Sequence, residues 1–241
     1  MNYQLLDFVE HIGSATSAEV AGQGLIYFAQ QAGVSVAHAF MGTGLENFRA
    51  TNLPAWAIEV DCNMPGLLTA HNVIAVRSGL PRVFWGEELD RVNPATTEAS
   101  RRIARHRQEH FGQRSSVSFA MPDADGQYRG GGVGFGFEDR AEAFLKRMNE
   151  GCGTLALASF AAHSRMQVLH HRQQVTSPLS KRQGEILQLL AAGYQLGGIS
   201  DKLDIADSTV NLHLAQLKKK LKVKTKEQAL AMALTNGWIE V

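Results

Sequence analysis

Apolar residues recur at helical spacing through the last quarter of the chain, and turn-forming residues divide them into four short segments. The first segment stops before Gly193, and the third carries an apolar stripe from Val210 to Leu221. Apolar positions that repeat every three or four residues are the pattern of an amphipathic helix. The pattern therefore predicts an all-α unit whose four helices span residues 180–192, 196–203, 207–222 and 225–235.

The rest of the chain mixes helical patterns with strand patterns. Alternating and β-branched residues predict strands over residues 34–40, 115–120 and 128–137, the last two forming a hairpin. Because hairpins replace a regular strand-helix-strand alternation, we expect an antiparallel sheet covered by helices and an α+β fold class. The polar stretch 172–178 is predicted to link domains that span residues 1–171 and 179–241. Helical patterns occupy residues 3–11, 16–31, 95–110, 139–149 and 155–172.

The composition is that of a globular protein. The 241 residues are 44% apolar, with 24 basic and 23 acidic side chains. No apolar run reaches the ~18 residues of a membrane span, and the first ten residues lack the basic side chains of a signal peptide. We therefore expect a cytoplasmic protein with no membrane partner. A formal net charge of +1, taken alone, argues against nucleic acid as a partner.

The charge is unevenly distributed, which removes that objection. Residues 1–176 hold 15 basic and 17 acidic side chains, whereas residues 177–241 hold 9 basic and 6 acidic ones. A run of lysines extends from Lys218 to Lys226, and no acidic residue lies between Ser208 and Lys226. A positive stripe of this kind either meets phosphate groups or forms a solvated helix face, so the neighbouring residues decide between the two.

The third predicted helix of the carboxy-terminal unit has the neighbouring residues that favour phosphate. A tight turn precedes it, one face is apolar, and another face bears Asn211, Ala215 and Lys218. A helix with a buried stripe, an exposed polar stripe and a basic end is suited to the major groove of DNA. Asn can make paired hydrogen bonds to adenine, and Ala can contact the thymine methyl group. We therefore predict double-stranded DNA as a partner.

The carboxy-terminal unit contains Leu179-Ser180-x-Arg182, Glu185-Ile186-Leu187, Gly193, Ile199, Leu203, Ile205, Thr209-Val210-Asn211-x-His213-Leu214, Lys220-Leu221 and the segment Ala229 to Gly237. With these residues, the stretch from Leu179 to Ile239 resembles the LuxR-type helix-turn-helix domain of bacterial transcription regulators. It departs from the family pattern at Gln183, where Glu is usual, and at Gly198-Ile199-Ser200, where Glu-Ile-Ala is usual.

That resemblance implies roles for individual side chains. Thr209 and Lys220 would contact backbone phosphates, while Asn211 and Ala215 would face base edges. It also implies a homodimer on an inverted repeat, with RNA polymerase and a small-molecule signal as further partners. Ala229, Leu230 and Ala233 are candidate dimer contacts. The candidate DNA-binding residues are Ser208, Thr209, Asn211, Leu212, Ala215, Lys218, Lys219, Lys220 and Lys222.

Aromatic and turn residues follow a particular order in the amino-terminal region, namely Asn52-x-Pro54-x-Trp56, then Trp85, then Phe111-Gly112 and Asp125-Gly126. This order resembles the autoinducer-binding domain of quorum-sensing LuxR proteins. The resemblance implies an α-β-α sandwich that encloses one acyl-homoserine lactone. It also implies that Trp56 and Trp85 are walls of the pocket and that one indole N–H is available to a lactone carbonyl.

Two positions depart from that pattern. Family members that bind the lactone carry a Tyr four residues after the first Trp, where this chain has Val60, and an Asp before the second Trp. No acidic residue lies between Cys62 and Gly86, so His71 or Asn72 would have to accept the ligand N–H. Loss of such an acceptor costs about 1–3 kcal/mol, so we expect typical acyl-homoserine lactones to bind weakly or not at all. The candidate ligand-binding residues are Trp56, Val60, His71, Asn72, Trp85 and Ser118.

Three modes of regulation remain open. The chain is a solo regulator that responds to a different small molecule, a regulator active without ligand, or an interaction protein that forms inactive heterodimers with a related regulator. An enzyme is not expected, because no nucleophile, base and orienting group can be assembled, and no cofactor is expected beyond an acyl-homoserine lactone or another small-molecule signal.

Two further motifs have structural interpretations. His106 and His110 match a zinc-peptidase spacing, but the neighbouring arginines oppose a divalent cation, so residues 95–110 are predicted to be a polar surface helix without metal. The glycine-rich stretch 130–136 is predicted to be a strand of small residues, which would leave room for a ligand beside the sheet.

Overall fold

A computed structural model describes residues 2–42, 47–123, 125–174 and 177–239, and the statements below concern these residues. The chain divides into two compact units, Met1–His170 and His171–Val241, each with its own apolar core. Residues 175 and 176 of the predicted linker lie outside the described ranges. None of the helices in these ranges combines the length and the hydropathy that a bilayer-spanning segment requires.

Helices and strands follow one another in the amino-terminal unit without a regular strand-helix repeat. The predicted α+β class is confirmed. Its helices are α1 (Asn2–Gly13), α2 (Ala18–Gln31), α3 (Ala55–Cys62), α4 (His71–Arg77), α5 (Glu87–Val92), α6 (Glu98–Phe111) and α7 (Ala141–Gln174). Its strands are β1 (Val36–Phe40), β2 (Arg49–Thr51), β3 (Val83–Trp85), β4 (Ser115–Ala120) and β5 (Gly132–Phe137).

The strands form one antiparallel sheet in the order β2-β1-β5-β4-β3. Strands β4 and β5 are the predicted hairpin, with Val117 opposite Phe135 and Ser118 opposite Gly134. Because side chains alternate between the two faces of a strand, these two faces differ in character. One face carries Val117, Phe119, Val133, Phe135 and Phe137, whereas the other carries Ser116, Ser118, Gly132, Gly134 and Gly136.

Helices cover both faces of the sheet. The apolar face packs against α1, α2 and α7, which contribute Leu25, Phe144 and Met166 among other buried side chains. The face of serines and glycines lies toward α3, α4 and α6, where Ile58 and Ile103 belong to smaller apolar clusters. The predicted α-β-α sandwich is therefore confirmed.

Helix α7 differs from the sequence prediction, which placed two helices over residues 139–149 and 155–172. It is one helix of 34 residues that passes through Gly151 and Gly153. Each glycine costs a helix about 1 kcal/mol relative to alanine. Met148, Cys152 and Leu155 continue a buried stripe across the glycines, so packing against the sheet holds the helix together.

Helix α6 begins later than predicted. The sequence placed its start near Asn93, but the cap is Thr97, whose hydroxyl accepts a hydrogen bond from the Ser100 amide at 3.2 Å. Ser100 in turn accepts from the Thr97 amide at 3.4 Å. This reciprocal cap satisfies two backbone donors at once and thereby fixes the first turn.

The carboxy-terminal unit contains the four predicted helices, α8 (Lys181–Ala191), α9 (Leu196–Leu203), α10 (Asp207–Leu221) and α11 (Lys226–Thr235). Ser180 and Thr225 cap α8 and α11 reciprocally with the third residue of each helix. Ala229 and Ala233 lie within the core, so the prediction that they contact a second subunit is wrong. The core consists of Ile186, Leu187, Ile199, Val210, Leu214, Leu217, Ala229, Ala233 and Ile239.

Candidate functional site

Helix α10 presents two opposite faces. Val210, Leu214 and Leu217 point into the core of the unit, and none of them is more than 5% exposed. Leu212 on the other side is 55% exposed, so this face combines an apolar contact with polar ones. The exposed face carries Ser208, Asn211, Leu212, Ala215 and Lys219.

A short turn joins α9 to α10. Asp204 ends α9 in the left-handed conformation, with φ 50°. The hydroxyl of Ser200 donates a hydrogen bond to the carboxylate of Asp207, and the amide of Ile205 donates to the Ser200 carbonyl at 3.1 Å. These bonds cross the turn and fix the direction in which α10 leaves it, which is the arrangement of a helix-turn-helix.

Lysines are concentrated at the end of α10. Lys219, Lys220 and Lys222 are exposed and Lys218 is partly exposed. Lys222 takes the left-handed conformation, with φ 56°, that ends the helix. Thr209, at the other end, is partly exposed. Every candidate DNA-binding residue is thus accessible at least in part.

A cavity of about 130 Å³ lies in the amino-terminal unit, between the serine-glycine face of the sheet and helices α3, α4 and α6. Gly134 and Ser118 border it on the sheet side, and Val76 and Ile103 border it on the helix side. A Cβ atom added at Gly134 would lie 3.5 Å from Ser118 Oγ. The space that the sequence predicted beside the glycine-rich strand is therefore present.

A buried ion pair lines this cavity. Arg107 Nη2 on α6 donates a hydrogen bond to Asp61 Oδ2 on α3, and the two side chains are 8% and 12% exposed. His106 Nδ1 lies 3.5 Å from Asp61 Oδ1. Burial raises the pKa of the Asp61 carboxyl and lowers the pKa of the Arg107 guanidinium, while the opposite charge of each partner counteracts the shift. The pair places formal charge in a cavity whose other walls are largely apolar.

His38 on β1 also lines the cavity and lies close to two arginines. Arg49 Nη1 is 3.2 Å from His38 Nε2. Burial, and then the charges of Arg107 and Arg49, hold the pKa of His38 well below its usual range. The imidazole is therefore neutral at pH 7, with Nε2 accepting from Arg49 and the proton on Nδ1.

Three of the predicted ligand-binding residues line the cavity, namely Asn72, Trp85 and Ser118. The indole N–H of Trp85 donates to the Ser118 hydroxyl at 2.9 Å, so this donor is already engaged within the chain. Asn72 Oδ1 is buried and accepts no hydrogen bond from the residues that the structure describes. Asn72 therefore supplies an acceptor for an O–H or N–H group placed in the cavity.

Trp56 and Val60 lie elsewhere, in contrast to the expectation that they line the pocket. They are 47% and 42% exposed, because α3 turns Asp61 toward the interior and these two side chains outward. The ring of Trp56 stacks on Phe111 at 5.6 Å between centroids. His106 and His110 lie edge-on to the same ring, so the packing partners of Trp56 are aromatic side chains of α6.

His71 is buried at the start of α4 but does not line the cavity. Its backbone N–H and its ring Nδ1 both lie 2.9 Å from Ser100 Oγ on α6. Its Nε2 lies 3.7 Å from Asp90 Oδ1 on α5, and burial raises the pKa of Asp90 against the opposing effect of His71. His71 therefore joins three helices instead of facing a ligand.

The sequence patterns did not lead to a prediction of the charged pair in the cavity wall, although the sequence contains a signal for it. Asp61 follows the buried Ile58 by three residues, and Arg107 follows the buried Ile103 by four. An ionisable residue on the apolar stripe of a helix indicates a buried charge. Two such residues of opposite charge, on two helices, indicate a buried ion pair. The prediction of a polar surface helix over residues 95–110 holds for Arg101 but is wrong for Arg107.

A comparison with known protein families finds a match in the carboxy-terminal unit. The family model described as bacterial regulatory proteins, luxR family, matches residues 177–233. The quorum sensing-dependent transcriptional regulator RpaR of Rhodopseudomonas palustris is 37% identical over 90 residues, which cover 37% of each chain. The transcriptional regulatory protein YxjL of Bacillus subtilis is 31% identical over 70 residues, 29% of this chain and 32% of that protein.

The chain thus spans about a third of the length of each of these two relatives. A crystal structure of SdiA from Escherichia coli aligns with 97% of this chain and 96% of its own, at 19% identity and a TM-score of 0.44. The chain carries, over residues 177–233, a helix-turn-helix domain of the LuxR family of bacterial regulatory proteins.

Proposed function

We propose that the chain is a transcription regulator that binds duplex DNA as a homodimer through α10. Asn211 and Ala215 face base edges in the major groove, while Thr209 and Lys220 contact backbone phosphates. The amino-terminal unit contributes to the dimer and holds a small-molecule cavity. Typical acyl-homoserine lactones bind this cavity weakly or not at all.

One observation carries the DNA-binding proposal, namely the exposed face of α10 opposite its buried stripe. Val210, Leu214 and Leu217 anchor the helix, so Asn211 and Ala215 are held in fixed positions without contributing to the core. The lysines at the end of the helix supply charge for the phosphates. The match of residues 177–233 to a family of regulatory proteins supports the same role.

Two features of the cavity support weak binding of acyl-homoserine lactones. Its volume of about 130 Å³ is small beside the ~300–1,000 Å³ of pockets that hold drug-sized ligands. The Asp61–Arg107 ion pair also forms part of the cavity wall. A neutral ligand would remove water from these charged groups without replacing all of its hydrogen bonds, which is unfavourable.

Selection of DNA from a random duplex pool tests the proposal. The full chain, purified from cells that make no acyl-homoserine lactone, should enrich inverted repeats with half-sites about one helical turn apart. Sedimentation of the complex should give two chains per duplex, and affinity measured by fluorescence anisotropy should fall steeply between 50 and about 200 mM salt. Failure to enrich any sequence, with and without lactone, would overturn the proposal.

The alternative is a chain that acts without ligand or that forms inactive heterodimers with a related regulator. The engagement of Trp85 by Ser118 favours ligand independence, because the indole donor already has a partner. Equal affinity for the selected duplex with and without added lactone would support ligand-independent action. Absence of DNA binding by the purified chain, together with its association with a second regulator of the same family, would support the heterodimer.

A further inference from the structure

The ionisable groups that line the cavity carry an excess of positive charge. Arg49, Arg77 and Arg107 are cationic, and Asp61 is the anionic side chain among the described lining residues. His38 adds no charge at neutral pH, because burial and the nearby arginines hold its pKa below the usual range. An anion that enters this space therefore meets more cationic than anionic side chains among the described lining residues.

Arg107 has hydrogen-bonding capacity that its ion pair does not use. Nη2 donates to Asp61, whereas Nε and Nη1 are buried and donate to none of the described residues. Buried donors without a partner are unfavourable, and a guanidinium forms its strongest hydrogen bonds with anionic oxygen. An anionic oxygen in the cavity would be an acceptor for these two N–H groups.

The other walls restrict the size and the character of an occupant. Val73, Val76 and Ile103 are apolar, so a bare inorganic anion would leave them in contact with water. The volume of about 130 Å³ is close to the ~150 Å³ of an engineered cavity that holds benzene. These walls therefore suit a single-ring or short-chain organic molecule, and Asn72 Oδ1 can accept a hydrogen bond from a hydroxyl or N–H group on it.

We infer that the cavity binds a compact organic monocarboxylate, whose anionic oxygen accepts a hydrogen bond from the Nε–H or the Nη1–H of Arg107. The inference deepens the proposed function, since it names the class of small molecule to which the regulator responds.

Paired neutral and anionic probes test this inference on the full chain. Benzoate and hexanoate are compared with benzamide and hexanamide by calorimetry and thermal unfolding, at pH 7.5 and low salt. At least one carboxylate should bind tenfold or more tightly than its amide and should raise the unfolding temperature. If neither carboxylate binds more tightly than its amide, the inference is wrong.

Two variants show whether Arg107 is the anchor. Asp61→Asn removes the competing anion, so benzoate or hexanoate should bind several-fold more tightly than to the wild type. Asp61→Asn combined with Arg107→Gln removes both charges without leaving one of them buried alone, and it should abolish the preference for the carboxylate. A preference that survives in the double variant would overturn the assignment to Arg107.

Gel shifts with the selected duplex on the same preparations separate this inference from the proposed function. A chain that binds DNA but shows no preference for a carboxylate overturns only the inference. A chain that prefers a carboxylate but binds no DNA retains the ligand class and overturns the proposed function.

Discussion

The guanidinium of Arg107 on α6 donates a hydrogen bond to the carboxylate of Asp61 on α3, and both side chains are largely buried. Removing either partner leaves the other charge in the interior, whereas removing both leaves none. We expect Asp61→Asn and Arg107→Gln each to lower the free energy of unfolding by about 3–5 kcal/mol. The free energy of unfolding should fall less in the double variant than in either single variant.

Urea unfolding of the four proteins, followed by tryptophan emission, gives the coupling energy between the two sites. Arg101, an exposed arginine on the same helix, provides the control, because Arg101→Gln should change stability by less than about 0.5 kcal/mol. Additive losses at Asp61 and Arg107 would contradict the pairing.

Gly134→Ala should reduce the cavity without disturbing the fold. The added Cβ would lie 3.5 Å from Ser118 Oγ, an ordinary contact, and Gly134 does not have positive φ. We expect stability to be unchanged or higher by up to about 1 kcal/mol, because alanine restricts the unfolded chain. Binding of the probe carboxylates should weaken at least fivefold.

Gly136→Ala is the contrasting change, since its Cβ would overlap the buried side chain of Gln113 and force it to move. We expect this variant to unfold at a lower temperature than Gly134→Ala. The same unfolding temperature for both variants would contradict the packing described for β5.

Acid should weaken the amino-terminal unit through His163. Its Nε2 lies 3.2 Å from the Phe40 carbonyl, and burial lowers the pKa of His163 from 6.5 despite that hydrogen bond. Below pH 6.5 the unfolded chain binds a proton that the folded chain does not. The contribution of neutral His163 to the free energy of unfolding is therefore complete above pH 6.5, and it falls by up to about 1.4 kcal/mol per pH unit as the pH drops below that value.

The measurement compares the wild type with His163→Gln between pH 7.5 and 5.5, both in a Trp238→Phe background so that emission reports the amino-terminal unit. Glutamine cannot gain a proton, so the difference between the two proteins should shrink as the pH falls. Other titrating groups, including His38, are common to both and cancel. A difference independent of pH would show that His163 is not buried in its neutral form.

Two substitutions on α10 should affect DNA binding in different ways. Asn211→Ala removes a candidate base contact and should relax the preference for one base pair, a loss of about 1–3 kcal/mol for the preferred sequence. Lys220→Ala should weaken binding to all sequences alike and lower the salt slope by about one. Lys181→Ala, an exposed lysine on α8, should leave both quantities unchanged.

The readout is a selection profile for each variant together with affinities at several salt concentrations. An unchanged profile for Asn211→Ala would remove this residue from the base-contacting face. An altered profile for Lys220→Ala would contradict its assignment to phosphate.

Lys222→Gly should change stability and DNA affinity in opposite directions. Lys222 ends α10 with φ 56°, a conformation that costs an ordinary residue about 1 kcal/mol and glycine very little. We expect the carboxy-terminal unit to gain up to about 1 kcal/mol, while loss of the positive charge weakens DNA binding. Thermal unfolding and anisotropy check the two effects, and a Lys222→Gly variant that binds DNA as tightly as the wild type would exclude a phosphate contact.

The carboxy-terminal helices were predictable because their signals are local. Ser180 and Thr225 cap α8 and α11, and the stripe from Val210 to Leu221 identifies the buried face of α10 within a single element. Helix α7 was not predictable in the same way, because the two glycines near Cys152 weaken a helix locally. The sheet that overrides them is formed by residues distant in sequence.

The cavity shows the same limit. Trp85 and Asn72 line it as predicted from the resemblance, whereas Trp56 does not, since the orientation of α3 depends on how Asp61 packs against another helix. The pairing of Asp61 with Arg107 joins positions 46 residues apart, and nothing local specifies it.

The hydrogen bonds between His71 and Ser100 have a thermodynamic consequence for any ligand of the cavity. Ser100 and Arg107 both belong to α6, and His71 precedes Asn72 at the start of α4. The donor and the acceptor beside the cavity therefore belong to helices that contacts within the chain hold together. The site is preorganised, so binding loses little conformational entropy, and a small ligand can gain affinity without a large contact area.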